Sequence, residues 1–210
     1  MKKILVGLCA VMLVFWVAGM AQATPLTNGG FETGDFTGWT TYVPPGGQAL
    51  VVTQYLDSIN YYPVEGSLFA LLKTDGPGSY TTLSQSALLN AGDKFWGYAA
   101  FDANDYLPYN DNAWVKIYDS AGTLVATPWY DDVAEVGYKG NSDWTEWEWT
   151  ATASDTYTLK LGVANSGDSI GDSRALFDAN NSSGTAVPEP ATMLLLGFGL
   201  FGLGLVRRKS

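Results

Sequence analysis

No stretch between Thr24 and Asn180 keeps a helical hydrophobic period, and that absence limits the fold more than any other feature of the chain. Short runs rich in Val, Leu, Tyr, Phe and Trp recur there instead, each closed off by Gly, Pro, Asn or Asp. The runs are Leu50 to Tyr55, Ser67 to Leu72, Tyr80 to Leu88, Phe95 to Asp102, Ala113 to Tyr118, Leu124 to Thr127, Trp144 to Thr152, Tyr157 to Val163 and Ala175 to Asp178. Turn sequences such as Asp75-Gly76-Pro77-Gly78, Asn90-Ala91-Gly92-Asp93 and Ser120-Ala121-Gly122 separate them. Strands this short must share their edges and bury one face, so the pattern predicts an all-β, antiparallel sandwich over residues 24–180.

No covalent cross-link is available to this sandwich. The one cysteine, Cys9, precedes it, so the region has no thiol and depends on its core, with or without a metal ion. Of the basic residues, Lys2, Lys3, Arg207, Arg208 and Lys209 lie at the ends of the chain; Thr24 to Ala186 holds 20 acidic and 6 basic residues, a net charge of −14. Such a surface repels phosphate backbones, which argues against nucleic acid as a partner, and it suits divalent cations. The same acidity also serves simply to keep an exported, aromatic-rich domain soluble.

The chain has no histidine, which removes the usual catalytic zinc sites and the base of a serine nucleophile. Gly167-Asp168-Ser169-Ile170-Gly171 therefore matches the nucleophile-elbow pattern in spelling only. A two-carboxylate glycosidase is not tested by composition, because among so many acidic residues some pair always looks suitable. The reading is of a protein without enzymatic activity.

Both ends carry transport features. Lys2 and Lys3 precede an apolar run from Ile4 to Val17, and Ala21-Gln22-Ala23 offers small residues for cleavage, so residues 1–23 read as a signal peptide. After a linker at 181–187, Ala191 to Val206 is 16 residues without a charge, read as a transmembrane helix, and Arg207, Arg208 and Lys209 would stay cytoplasmic. Pro188 and Pro190 keep the chain extended before that helix, which holds Glu189 near the outer membrane surface.

Pro188-Glu189-Pro190, the glycine-bearing apolar run and the basic terminus with Arg207 and Arg208, in this order over residues 188–210, resemble the PEP-CTERM sorting signal of Gram-negative bacteria. The resemblance implies secretion, transient anchoring in the inner membrane, recognition by an exosortase, and delivery to the cell surface or an exopolysaccharide matrix.

A second resemblance spans the middle of the chain. Asn28-Gly29-Gly30-Phe31-Glu32 followed by Gly38-Trp39, and Gly171-Asp172-Ser173-Arg174-Ala175-Leu176-Phe177-Asp178, are similar to the opening and closing strands of galactose-binding-like jelly rolls used by carbohydrate-binding modules. Glu65-Gly66-Ser67 and Leu83-Ser84-Gln85 fit the same pattern. The resemblance implies a jelly-roll sandwich and a structural calcium joining first and last strands. Carried over, its ligands would be Glu32 and Asp178, with backbone carbonyls near Lys73 and Thr74 completing the shell. Two ordinary surface carboxylates are the alternative.

Two further groups draw attention. Asp102, Asp105 and Asp111 lack the spacing of an EF-hand and read as a solvated loop with Tyr106 and Tyr109. In Trp144-Thr145-Glu146-Trp147-Glu148-Trp149-Thr150, strand alternation sends Trp147 and Trp149 to the core and Trp144 to the other face. Polysaccharide binding would need exposed rings beside carboxylates, and Trp129, Tyr130 and Asp131, together with Tyr61 and Tyr62, are the candidates; core packing is the competing role for each ring. The combined expectation is a structural or matrix protein, with a carbohydrate-binding module as the alternative.

Overall fold

The computed structural model describes residues 26–180. The expected signal peptide, membrane helix and sorting motif lie outside the described residues. Nearly all regular structure of the described chain is strand: β1 (Thr40–Tyr42), β2 (Gln48–Val52), β3 (Tyr55–Leu56), β4 (Asn60–Tyr61), β5 (Phe69–Lys73), β6 (Tyr80–Leu89), β7 (Lys94–Asp102), β8 (Asn112–Tyr118), β9 (Leu124–Asp132), β10 (Thr145–Thr150), β11 (Asp155–Ala164) and β12 (Arg174–Asn180). A single helical turn, α1 (Val133–Val136), is capped by Asp132, whose carboxylate accepts the Glu135 amide at 3.0 Å.

Two five-stranded antiparallel sheets form the expected jelly-roll sandwich. Sheet A runs β1-β6-β11-β8-β9 and sheet B runs β10-β7-β12-β5-β2, while β3 and β4 make a small separate hairpin. Alternation builds the core between them. Tyr157, Leu159, Leu161 and Val163 of β11, with Ala113, Val115 and Ile117 of β8, point inward from sheet A. Ala70, Leu72, Phe95, Ala99, Phe101, Ala175 and Phe177 meet them from sheet B. Trp147 is buried and Trp149 packs against the core, as alternation requires.

Sheet B is apolar on its outer face too. Phe69, Leu71, Ala100 and Leu176 form a second cluster with Tyr61, onto which Trp144 packs edge-on to Tyr61 and Phe69. The segment carrying β3 and β4 covers this face, which is why β5 buries four consecutive residues instead of every second one.

The opening motif has a local explanation. Asn28 and Phe31 both adopt left-handed backbone, at φ 52° and 60°. The Asn28 side chain accepts the Thr33 amide at 3.1 Å and donates to the Asp35 carbonyl at 2.9 Å, bracing the turn. That twist drives Phe31 into the core, stacked on Trp39 at 5.4 Å, and turns Glu32 outward.

The acidic loop departs from expectation. Asp102, Asp105 and Asp111 are not solvated: they are 3%, 0% and 0% exposed. They lie at or just beyond the ends of β7 and β8, where the two sheets close over one end of the core.

Candidate functional site

Glu32 and Asp178, far apart in sequence, grip the same loop. Glu32 Oε1 accepts the amides of Ser67 and Leu68 at 2.9 and 3.0 Å, and Asp178 Oδ2 accepts those of Val64 and Glu65 at 2.8 and 2.9 Å. Gly66, at φ 64°, lets the loop turn between the two carboxylates, and a side chain there would run into Glu32. Burial, with the charges of Glu65 and Glu32, outweighs the two amide hydrogen bonds and pushes the Asp178 carboxyl up to about 6.

Beside Gly30, the Ala179 carbonyl and Asp178 Oδ1 lie 3.5 and 3.9 Å from the point a β-carbon would occupy, with Glu32 Cγ at 3.8 Å. The last strand therefore brings two oxygens, and the opening turn the Glu32 side chain, to one cradle, and such a set suits a hard cation. The carbonyls of Lys73 and Thr74 do not belong to it. Lys73 pairs with Arg174, and continuing the register sets Asp178 beside Phe69 at the other end of β5. Among the described residues, no three acidic side chains gather in metal-holding geometry.

The aromatic candidates divide. Trp129 is buried, edge-on to Phe177 at 6.0 Å, because β9 continues through Pro128 and sends Trp129 inward. It is a core residue rather than a stacking platform. Tyr61 is 1% exposed and donates its hydroxyl to the Ser142 carbonyl, so it also belongs to packing. Tyr62 and Tyr130 are exposed. Tyr130 donates to Asp132 at 3.0 Å, and burial followed by that hydrogen bond pushes its phenol up to about 12. Asp131 is half-buried, and burial raises its carboxyl.

The structure brings together a surface that the sequence did not single out. Across the outer face of sheet A, register aligns Tyr42, Thr82, Gly162, Trp114 and Tyr130 in one row, one residue from each strand. With strands ~4.8 Å apart, four steps make the row roughly 19 Å long. At its centre Gly162 carries no side chain because the Trp114 indole lies there: a β-carbon would be 2.5 and 2.6 Å from ring atoms and 3.0 Å from the Thr82 methyl.

Exposed rings stand at both ends of the row. Tyr42 and Tyr80 pair at 5.1 Å on one side and Tyr130 stands on the other. Lys160 and Lys116 face each other across β11 and β8 in the next row. Lys116 sits 4.2 Å over the Trp114 ring and Lys160 lies 5.7 Å from the Tyr80 ring. Burial, then the neighbouring Lys160 charge, lowers the Lys116 pKa. The ion pairs of the described residues, Lys73–Asp172, Lys94–Glu148 and Arg174–Asp102, lie elsewhere. Trp114, 7% exposed, is covered by Lys116, so the arrangement is an open sheet face with exposed phenols at its two ends and two cationic side chains between them, in a strongly acidic chain.

Residues 186–209 match the family model described as the PEP-CTERM protein-sorting motif, which marks the chain as an exported protein bearing an exosortase-directed signal. Among solved structures, the chain is similar to TmCBM61 in complex with β-1,4-galactotriose, at 21% identity and a TM-score of 0.48, covering 76% of this chain and 97% of that one. It is also similar to the CBM22-1 xylan-binding domain of Paenibacillus barcinonensis Xyn10C, at 14% identity and a TM-score of 0.39, covering 80% and 100%. A third likeness, to carbohydrate-binding modules of the β-sandwich superfamily, has 12% identity and a TM-score of 0.46 over 73% and 60% of the two chains. No curated protein matches in sequence.

Proposed function

We propose that this exported chain is a non-catalytic glycan-binding protein of the cell surface or extracellular matrix, and that the outer face of sheet A is its binding surface. The observation that carries the reading is the row with exposed phenols at both ends, Tyr42 beside Tyr80 at one and Tyr130 at the other. Sugar rings offer an apolar face that packs on phenol rings, and an extended chain of them suits rings spread along an open sheet face better than a closed pocket. The Lys116 and Lys160 pair favours a glycan bearing carboxylates or sulfates, since like charges directly opposite on a sheet cost stability unless something offsets them.

Export delivers the protein where such polymers occur. The sorting signal would be read by an exosortase at the inner membrane of a Gram-negative cell. Calcium, where bound, would be held by Glu32 and Asp178 with the Ala179 carbonyl, and would supply the positive charge that lets the buried Asp178 carboxylate stay ionised. These residues already tie the opening turn and the last strand to one loop, and the ion would reinforce that tie.

The test is affinity electrophoresis of the full chain through gels carrying neutral or uronate-rich polysaccharides. Tyr42→Ala and Tyr130→Ala should each weaken retention by roughly fivefold, the loss of about 1 kcal/mol of ring contact, with folding unchanged. Lys116→Gln with Lys160→Gln should abolish the preference for the acidic polymer. Unchanged retention in all three variants would rule out this face.

A further inference from the structure

One end of the inter-sheet core is polar, buried and unsatisfied. Strand alternation extends the inward-facing series Ala70, Leu72 to Thr74, the series Phe177, Ala175 to Ser173, the series Val115, Ala113 to Asp111, and the series Leu161, Val163 to Asn165. Backbone bonds continue the pairing that far: the Thr74 amide donates to the Ser173 carbonyl at 3.1 Å, and the Asn165 amide to the Ser79 carbonyl at 3.0 Å. All four side chains are therefore directed between the sheets at the same end, and each is at most 3% exposed.

Asp105 closes the group from the loop after β7. The point where Gly171 would carry a β-carbon is 3.3 Å from the Asp105 carboxylate, which places Asp105 against the segment leading into Ser173. One oxygen of each aspartate is accounted for: Asp111 Oδ1 accepts the Ser166 amide and Asp105 Oδ1 the Tyr106 amide, both at 2.7 Å. The rest are orphaned. Asp105 Oδ2, Asp111 Oδ2, Thr74 Oγ1, Ser173 Oγ and both polar atoms of Asn165 are buried without a hydrogen-bond partner.

Buried polar atoms are normally paired, and so many orphans in one place mean a missing partner. Two buried carboxylates need a positive one, and the ion pairs of the described residues include neither Asp105 nor Asp111. Burial, together with Asp105 nearby, pushes Asp111 up to about 6 in spite of the Ser166 amide hydrogen bond and the adjacent Ser173.

We propose that Asp105 and Asp111 bind a divalent cation inside this end of the sandwich, with Asn165 Oδ1 and the Ser173 and Thr74 hydroxyls as neutral ligands. An all-oxygen set with two carboxylates selects calcium, balances its charge, and leaves positions for water. The site is separate from Glu32 and Asp178. Ser173 and Asp178 are five residues apart along the same extended segment, about 17 Å.

Calcium is counted by plasma mass spectrometry on the full-length chain, stripped with EGTA, reloaded with calcium chloride and dialysed. Asp105→Asn with Asp111→Asn should hold one calcium per chain fewer than the unaltered protein. Glu32→Gln with Asp178→Asn should leave that calcium in place, which separates the two sites. An unaltered protein that takes up no calcium, or a double variant that loads as the parent does, overturns the proposal. If the double variant does not fold, Asn165→Ala and Ser173→Ala decide: each should weaken calcium by about tenfold, and unchanged affinity overturns the site.

Discussion

Replacing Asp178 with Asn should change how stability depends on pH more than it changes stability itself. Asn keeps an oxygen to accept the Val64 and Glu65 amides but has no proton to lose. In the folded chain the carboxyl titrates at about 6 instead of its ordinary 3.8, because it is buried and Glu65 and Glu32 stand beside it. Between those values the folded chain keeps a proton that the unfolded chain has released, so stability falls as pH rises. The protonated group stabilises the fold fully below about 3.8, and that contribution is gone above about 6. At 1.36 kcal/mol per unit the total is about 3 kcal/mol.

The assay is thermal unfolding of parent and Asp178→Asn chains from pH 4 to 7 in EGTA. Relative to the variant, the parent should lose about 6 to 12 °C of melting temperature across that window, at 2 to 4 °C per kcal/mol for a domain of this size. Added calcium should flatten the parent's curve if Glu32 and Asp178 hold the ion. A gap between the two proteins that stays constant from pH 4 to 7 in EGTA would refute the reasoning, since it would mean that Asp178 titrates alike in both states.

Two shorter tests follow. Gly66→Ala should lower the urea midpoint by an amount corresponding to about 1 to 3 kcal/mol, since residue 66 sits at φ 64° and its side chain would meet Glu32; an unchanged midpoint would mean the loop does not need that conformation. Replacing Pro188, Glu189 and Pro190 with alanine should leave full-length protein in the membrane fraction on cell fractionation, and normal release would count against exosortase recognition.

The sandwich was legible because alternation is a local property: Tyr157 to Val163 declares its buried face within a few residues. The elements that escaped are those too short to show a period, namely β1, exposed along its length, the two-residue strands β3 and β4, and the single turn α1. Trp129 was misplaced because Pro128 looks like a strand terminator. The strand β9 lies at the edge of sheet A with an irregular register, and an edge tolerates proline. Tyr61 and Tyr62 look alike in sequence, yet neighbouring positions on an extended chain face opposite ways, so one is buried and the other exposed.

The candidate sites were harder to read than the fold. Tyr42, Thr82, Gly162, Trp114 and Tyr130 are neighbours only through the strand order of sheet A, and no spacing rule in one dimension unites them. Asp105 and Asp111 read as solvent-facing because loops rich in Asp and Asn usually are. Their burial follows from pairings that carry inward-facing positions past the apolar core. Glu32 and Asp178 were found through resemblance, and the loop they jointly hold, Val64 to Leu68, was not.

The position of β12 bears on when the protein becomes a folded object. Of the described strands it is the last made, yet it lies in the middle of sheet B with β7 on one side and β5 on the other. Without Arg174 to Asn180 that sheet would be two unjoined halves, β10-β7 and β5-β2, each with an open edge. Synthesis runs from the N-terminus, so closure of the sheet waits until nearly the whole domain has been made. A chain cut short before β12 would therefore present raw edges rather than a smaller version of the domain.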